Sequence, residues 1–260
     1  MSDAKFVPPP LGNGPLKALC ENVWVVGGLF KLPLPFTCIT RNMIVLREKD
    51  ELALVGCVRL DEATEAELLK LGKIVHVIAL CHSHGCDDTY YVEKFGATYW
   101  NNARMKHPNE NLKGKNFMES TPFQNMQFYE LLCVINPAKP TNSENVLVWK
   151  PRADSPGILV CMDILQGEGP PNEDTFDCEG APATMLAKVI SYFMGFTIHG
   201  TPGVFFSLVA RPNCMEDYGK DLDAIEAMDF DMAAVGHGLC FSRNAKKIIE
   251  QMRQKHLPAA

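Results

Sequence analysis

Leu80-Cys81-His82-Ser83-His84-Gly85-Cys86-Asp87-Asp88 is the stretch on which the reading of this 260-residue chain turns. Before it runs Ile74-Val75-His76-Val77-Ile78-Ala79-Leu80, which is short, β-branched and nearly continuous in apolar side chains. That is the pattern of a strand covered on both faces. After it, Tyr90 to Phe95 is closed by Gly96, the pattern of one short helix with a glycine stop. A strand that passes through two histidines and two aspartates into a helix presents those groups at the carboxyl edge of a sheet. Open α/β sheets bind ligands at that edge.

Outward from this stretch, helix and strand alternate. Upstream, Val23–Val26 reads as a strand with a turn at Gly27-Gly28, and Pro33 and Pro35 exclude a helix between Phe30 and Thr40. Met43–Leu46 and Leu52–Val58 form a hairpin pattern around the charged turn Arg47–Glu51. Asp61 and the Thr64-x-x-Glu67 box open a helix that Gly72 stops. Downstream, strands are predicted at Ala97–Trp100, Leu131–Ile135, Val146–Trp149, Ile158–Met162 and Met232–Val235, with a long loop over Asn101–Asn125 and another over Gly167–Ala183. Apolar residues at helical spacing predict helices over Met185–Phe193, around Leu222, Ile225 and Met228, and from Ala245 to Met252. No repeat and no linker interrupts the pattern, so residues 21–260 are expected as one domain behind an extended, proline- and glycine-rich tail over residues 1–20.

Composition narrows the functional classes. With 47% hydrophobic and 22% charged residues the chain is ordinary for a globular protein. A net charge of −6 argues against a nucleic-acid partner, which needs a basic face. No run approaches the roughly 20 apolar residues of a membrane span, and Met1–Pro15 has no signal core. The ten cysteines are scattered without a C-x-x-C pair. These features lead to the expectation of a soluble, cytoplasmic protein with free thiols, acting on a small molecule, with no membrane partner and an oligomeric state left open.

Three apolar runs end in acid or imidazole: the first at His82, His84, Asp87 and Asp88, the second at Asp163, the third at His237. Imidazole nitrogens with carboxylate oxygens suit zinc, iron or manganese. In this order and spacing the chain resembles the metallo-β-lactamase-fold superfamily. The resemblance rests on His82-Ser83-His84-Gly85-Cys86-Asp87 for the H-x-H-x-D-H motif, on Cys161-Met162-Asp163, and on Val235-Gly236-His237-Gly238, and it extends over Val23 to Met252. It implies a four-layer αββα sandwich, a divalent metal, and hydrolysis of a small ester, thioester, amide or phosphoester by a water nucleophile.

The departures from the motif matter as much. Cys86 stands at the aspartate position and Asp87 at the last histidine position, while a second registration keeps only His84 and Asp88. Asn136–Ser143, where the family places its middle histidine, contains none, and His199 in Gly200-Thr201-Pro202-Gly203 context comes after Asp163 instead of before it. The expectation is therefore an altered, mononuclear site drawn from His82, His84, Asp87, Asp88, Asp163 and His237, with Asp87 or Asp88 orienting or deprotonating the water. Two alternatives stay open: a non-catalytic binding or regulatory protein that has lost the metal, and a thiolate nucleophile at Cys86. Structural roles compete at several positions. Asp87-Asp88 also suits a helix N-cap, and His76 suits a satisfied core histidine.

Overall fold

The computed structural model describes residues 11–31, 38–105, 112–135, 143–178, 184–186, 188–189 and 215–257. The first sheet begins as an antiparallel run of β1 (Lys17–Cys20), β2 (Val23–Lys31), β3 (Cys38–Glu48) and β4 (Glu51–Val55). Helix α1 (Glu62–Leu71) then crosses to β5 (Lys73–Ile78), and α2 (Asp88–Phe95) crosses to β6 (Thr98–Asn101), both strands joining in parallel. β7 (Lys115–Asn116) ends this seven-stranded sheet, whose spatial order is the chain order. The second sheet contains β8 (Met126–Glu130), β9 (Asn145–Trp149), β10 (Gly157–Cys161), β11 (Thr175–Phe176), β12 (Phe230–Val235) and β13 (Cys240–Phe241). Its order is β11-β13-β12-β10-β9-β8, with β10 and β12 parallel. Helices α3 (Met215–Glu226) and α4 (Ala245–His256) follow on its outer face.

Alternation along β3 shows how the layers form. Ile44 and Leu46 belong to one core with Trp149, Leu159 and Ala233 of the second sheet, and that core continues to Leu222 of α3 and Ile249 of α4. Met43 and Val45 belong to the other core, with Leu68 of α1 and Tyr91 of α2. The layers therefore run helix, sheet, sheet, helix, an αββα sandwich. Burying one such side chain is worth about 1.5–3 kcal/mol. A one-residue slip would exchange the two sets, so burial on both faces specifies the register. Among the described residues no helix is long and apolar enough to cross a membrane.

Several elements differ from expectation. β2 does not turn at Gly27-Gly28 but pairs with β3 from Val23↔Leu46 to Lys31↔Cys38. Gly28 serves close packing instead: a Cβ there would lie 2.2 Å from Val58 Cγ1. Leu131–Ile135 is not a strand; a 3-10 turn occupies Leu132–Val134 because the buried Asp221 carboxylate of α3 accepts the Leu132 and Cys133 N–H groups, each at 2.9 Å. The strand lies just upstream, as β8. Asp61 caps α1 as expected, accepting the Thr64 N–H at 2.8 Å, but Thr64 itself lies inside the first turn and does not open a capping box. Part of the expected tail is built into the sheet as β1, and β7 lies within the expected Asn101–Asn125 loop. Most of the helix expected over Met185–Phe193 lies outside the described residues, as does His199.

Candidate metal centre

β10 and β12 are parallel neighbours with Cys161 opposite Val235, so the residues just past their ends leave the sheet side by side. Those residues carry Asp163 and His237. From the other sheet, β5 runs out through Cys81, which bridges to Glu144, into the turn that carries His84. The three side chains meet at the seam between the sheets. His84 Nε2 lies 3.4 Å from Asp163 Oδ1, His237 Nε2 lies 3.5 Å from the same oxygen, and the two Nε2 atoms are 3.2 Å apart.

His237 and Asp163 are held from behind. His237 Nδ1–H donates to the Thr40 carbonyl at 2.7 Å, which leaves the Nε2 lone pair aimed at the other two groups. Asn42 of β3 clamps the turn that carries His237: its backbone N–H donates to the Gly236 carbonyl at 2.8 Å, and its Nδ2 donates to the Val235 and Gly238 carbonyls at 2.9 Å each. Gly238 has φ +72, where only glycine is at ease, and a Cβ there would stand 2.5 Å from the Gly167 backbone. Asp163 accepts from the Ser83 hydroxyl at 3.2 Å. Behind it, the buried Glu144 carboxylate accepts the N–H groups of Asp163 at 2.7 Å and Ile164 at 2.9 Å.

The electrostatics favour open lone pairs. Burial drives the His237 imidazole down to about 4, with His84 adding to the effect and Asp163 opposing it, so the ring is neutral at neutral pH. Burial pushes the Asp163 carboxyl up, but His84, His237 and the Ser83 hydroxyl outweigh it and hold the group ionised, well below the usual range. His84 Nδ1 is buried with no hydrogen-bond partner among the described residues. Two imidazole nitrogens and a carboxylate oxygen are the donor set of a divalent transition ion. A tetrahedral ion with bonds of about 2.0–2.2 Å spaces its ligand atoms about 3.3–3.6 Å apart. The observed 3.2, 3.4 and 3.5 Å fit one face of such a tetrahedron. Cys81 adds to the cluster: its Sγ and one ligand atom each of His84 and Asp163 lie within 4.8 Å of one another, all three residues buried.

The other sequence-predicted residues have different partners. His82 Nδ1 sits 3.3 Å from the Ser143 carbonyl. Asp87 forms an ion pair with Arg41 and accepts the Arg59 N–H at 2.9 Å. Asp88 is fully buried beside Cys57, and burial lifts its carboxyl to about 7, with Cys57 and Arg41 opposing. Among the described residues neither aspartate side chain hydrogen-bonds or ion-pairs with Asp163, His84 or His237. Cys86 is exposed, yet desolvation holds its thiol above the ordinary value, which disfavours a thiolate nucleophile. His76 accepts the Trp100 indole N–H at 3.1 Å, the satisfied histidine of the strand reading. Sequence reasoning passed over Cys81 and Ser83 inside the decisive stretch. It had no signal for Asn42 or Glu144, polar residues in or beside otherwise apolar strands.

Solved structures share this arrangement of sheets. The metallo-β-lactamase from Hirschia baltica aligns at a TM-score of 0.53 and 13% identity, over 95% of this chain and 100% of that one. A metallo-β-lactamase from Erythrobacter litoralis, solved with β-mercaptoethanol in its active site, aligns at 0.55 and 14%, over 92% and 96%. The chain has the metallo-β-lactamase fold. The metallo-β-lactamase FIM-1 from Pseudomonas aeruginosa in its mono-zinc form shares the fold at 0.51 and 12%, over 96% and 99%. No family model and no curated protein matches the sequence. At such low identity the metallo-β-lactamase fold is what the neighbours establish; the chemistry must be argued from the side chains.

Proposed function

We propose that this protein is a metal-dependent, hydrolase-like protein that holds one divalent ion on His84, Asp163 and His237. The observation that carries the reading is the mutual spacing of those three ligand atoms, 3.2–3.5 Å, at the seam of a metallo-β-lactamase fold. Zinc, iron or manganese would supply Lewis-acid polarisation and an acidified water for attack on a small ester, thioester or phosphoester. The chain's own residues do the positioning. Thr40 fixes the tautomer of His237, Ser83 and Glu144 orient Asp163, and Asn42 keeps the His237 turn against β3. A proton-transfer role for Asp87 would require release from Arg41 and Arg59, and one for Asp88 would require its buried pocket to open.

The burial of His84 and Asp163, 7% and 6% exposed, favours a second reading in which the site is retained without turnover and the protein binds or regulates. Metal content separates the two from an empty site. Elemental mass spectrometry on protein purified without chelator or affinity metal should find near-stoichiometric zinc, iron or manganese. A His237→Ala/Asp163→Ala double variant should lose it. Parent protein that is empty and refuses added metal would sink the metal reading. Loaded protein inert toward esters, thioesters and phosphoesters would favour the binding role.

A further inference from the structure

Cys81 stands where the decisive stretch leaves β5, buried, with its Sγ in the same cluster as the ligand atoms of His84 and Asp163. The Ser83 hydroxyl links it to the centre, 3.2 Å from Cys81 Sγ and 3.2 Å from Asp163 Oδ2. Charge balance gives this position its meaning. A dication held by neutral His84 and His237 and by one carboxylate leaves a net charge of about +1 in a buried site, which is costly. Arg41 nearby is already matched by Asp87, so it does not add to the excess. Burial, Asp163 and Glu144 push the free Cys81 thiol well up, so a thiolate there would form on ligation, where it offsets the excess charge of the ion.

We infer that Cys81 is a fourth ligand, a thiolate that completes His84, Asp163 and His237 into one sulfur-, nitrogen- and oxygen-bearing set. This inference rests on the metal reading proposed above and goes beyond it in two ways. Sulfur selects zinc over manganese, which prefers oxygen ligands. Four protein ligands also make the pattern of a closed site, so Cys81 is the residue that decides between turnover and a structural ion. Ligation forms one metal–sulfur bond, breaks the S–H bond and releases its proton to solvent, with no change of oxidation state.

Cobalt(II) chloride added to chelator-stripped protein tests this. The wild type should bind one cobalt per chain and show a thiolate-to-cobalt charge-transfer band in the near ultraviolet. In Cys81→Ser and Cys81→Ala the band should vanish, and zinc affinity should fall by at least the roughly 10–100-fold that even an outer partner costs. Far-ultraviolet circular dichroism checks that the stripped variants are folded. X-ray absorption on the zinc-loaded wild type needs no variant and should find a sulfur at about 2.3 Å. Stoichiometric cobalt without the band, a band that survives in both variants, or zinc with no sulfur neighbour would overturn the role of Cys81 and leave the metal reading standing. Failure to bind either ion would overturn both.

Discussion

Glu144 offers a sharp test of how the centre is supported. One carboxylate oxygen accepts both the Asp163 and Ile164 N–H groups, and the residue is 2% exposed. Burial lifts its carboxyl well above 4.5, the Asp163 charge adds to the rise, and the two N–H groups oppose it. Glu144→Ala leaves two buried donors unpaired, each costing about 1–3 kcal/mol. A loss of about 2–6 kcal/mol is expected, a large part of a typical total of about 5–15 kcal/mol. Glu144→Gln keeps an acceptor oxygen and should cost far less near neutrality. A carboxyl whose folded pKa is raised binds its proton more tightly in the folded state, so its contribution is present at low pH and is lost as pH rises above about 4.5. The slope has a ceiling of about 1.4 kcal/mol per pH unit. Urea unfolding of chelator-stripped protein at a series of pH values should show the wild type losing stability relative to Glu144→Gln as pH rises. Parallel curves, or a glutamine variant as damaged as the alanine one, would refute the reasoning.

Other consequences are equally direct. Asn42→Ala removes two side-chain donors from the Val235 and Gly238 carbonyls; zinc affinity, measured by competition with a chromophoric chelator, should fall about 10–100-fold. Asp88→Asn removes a buried carboxyl raised from 3.8 to about 7. Wild-type stability should therefore decline between about pH 4 and pH 7, by up to about 4 kcal/mol, while the variant stays flat in thermal melts across that window. Gly238→Ala places a side chain at φ +72 against Gly167. It should cost at least about 1–2 kcal/mol from conformation alone, read as a lowered Tm, and weaken metal uptake.

What could be seen in the sequence was whatever local pattern controls. The placement of His84, Asp163 and His237 together was legible because each follows an apolar run of strand length and β-branched composition, and such strands end at one edge of the sheets. The partners of Asp87 and Asp88 were not legible. Arg41 lies 46 positions from Asp87, and nothing in the intervening chain marks the pairing. The strand expected over Leu131–Ile135 failed for the same reason: its N–H groups go to Asp221, which belongs to a helix about 90 residues on. Glu144 and Asn42 look like surface residues on paper, because the carbonyls and amides that satisfy them come from other segments.

The clasp of β3 on the His237 turn also bears on the order of folding. Asn42 Nδ2 reaches Val235 and Gly238 across 193 and 196 positions, and the Thr40 carbonyl takes His237 Nδ1–H across 197. Loops of that span are expensive to close before the sheets at either end exist. The hairpin of β3 and β4 is local by comparison and can form early. The centre is then expected to assemble late, when one half docks on the other. Loosening the clasp should accelerate unfolding and leave the folding rate nearly untouched, so ion capture becomes a readout of a completed chain.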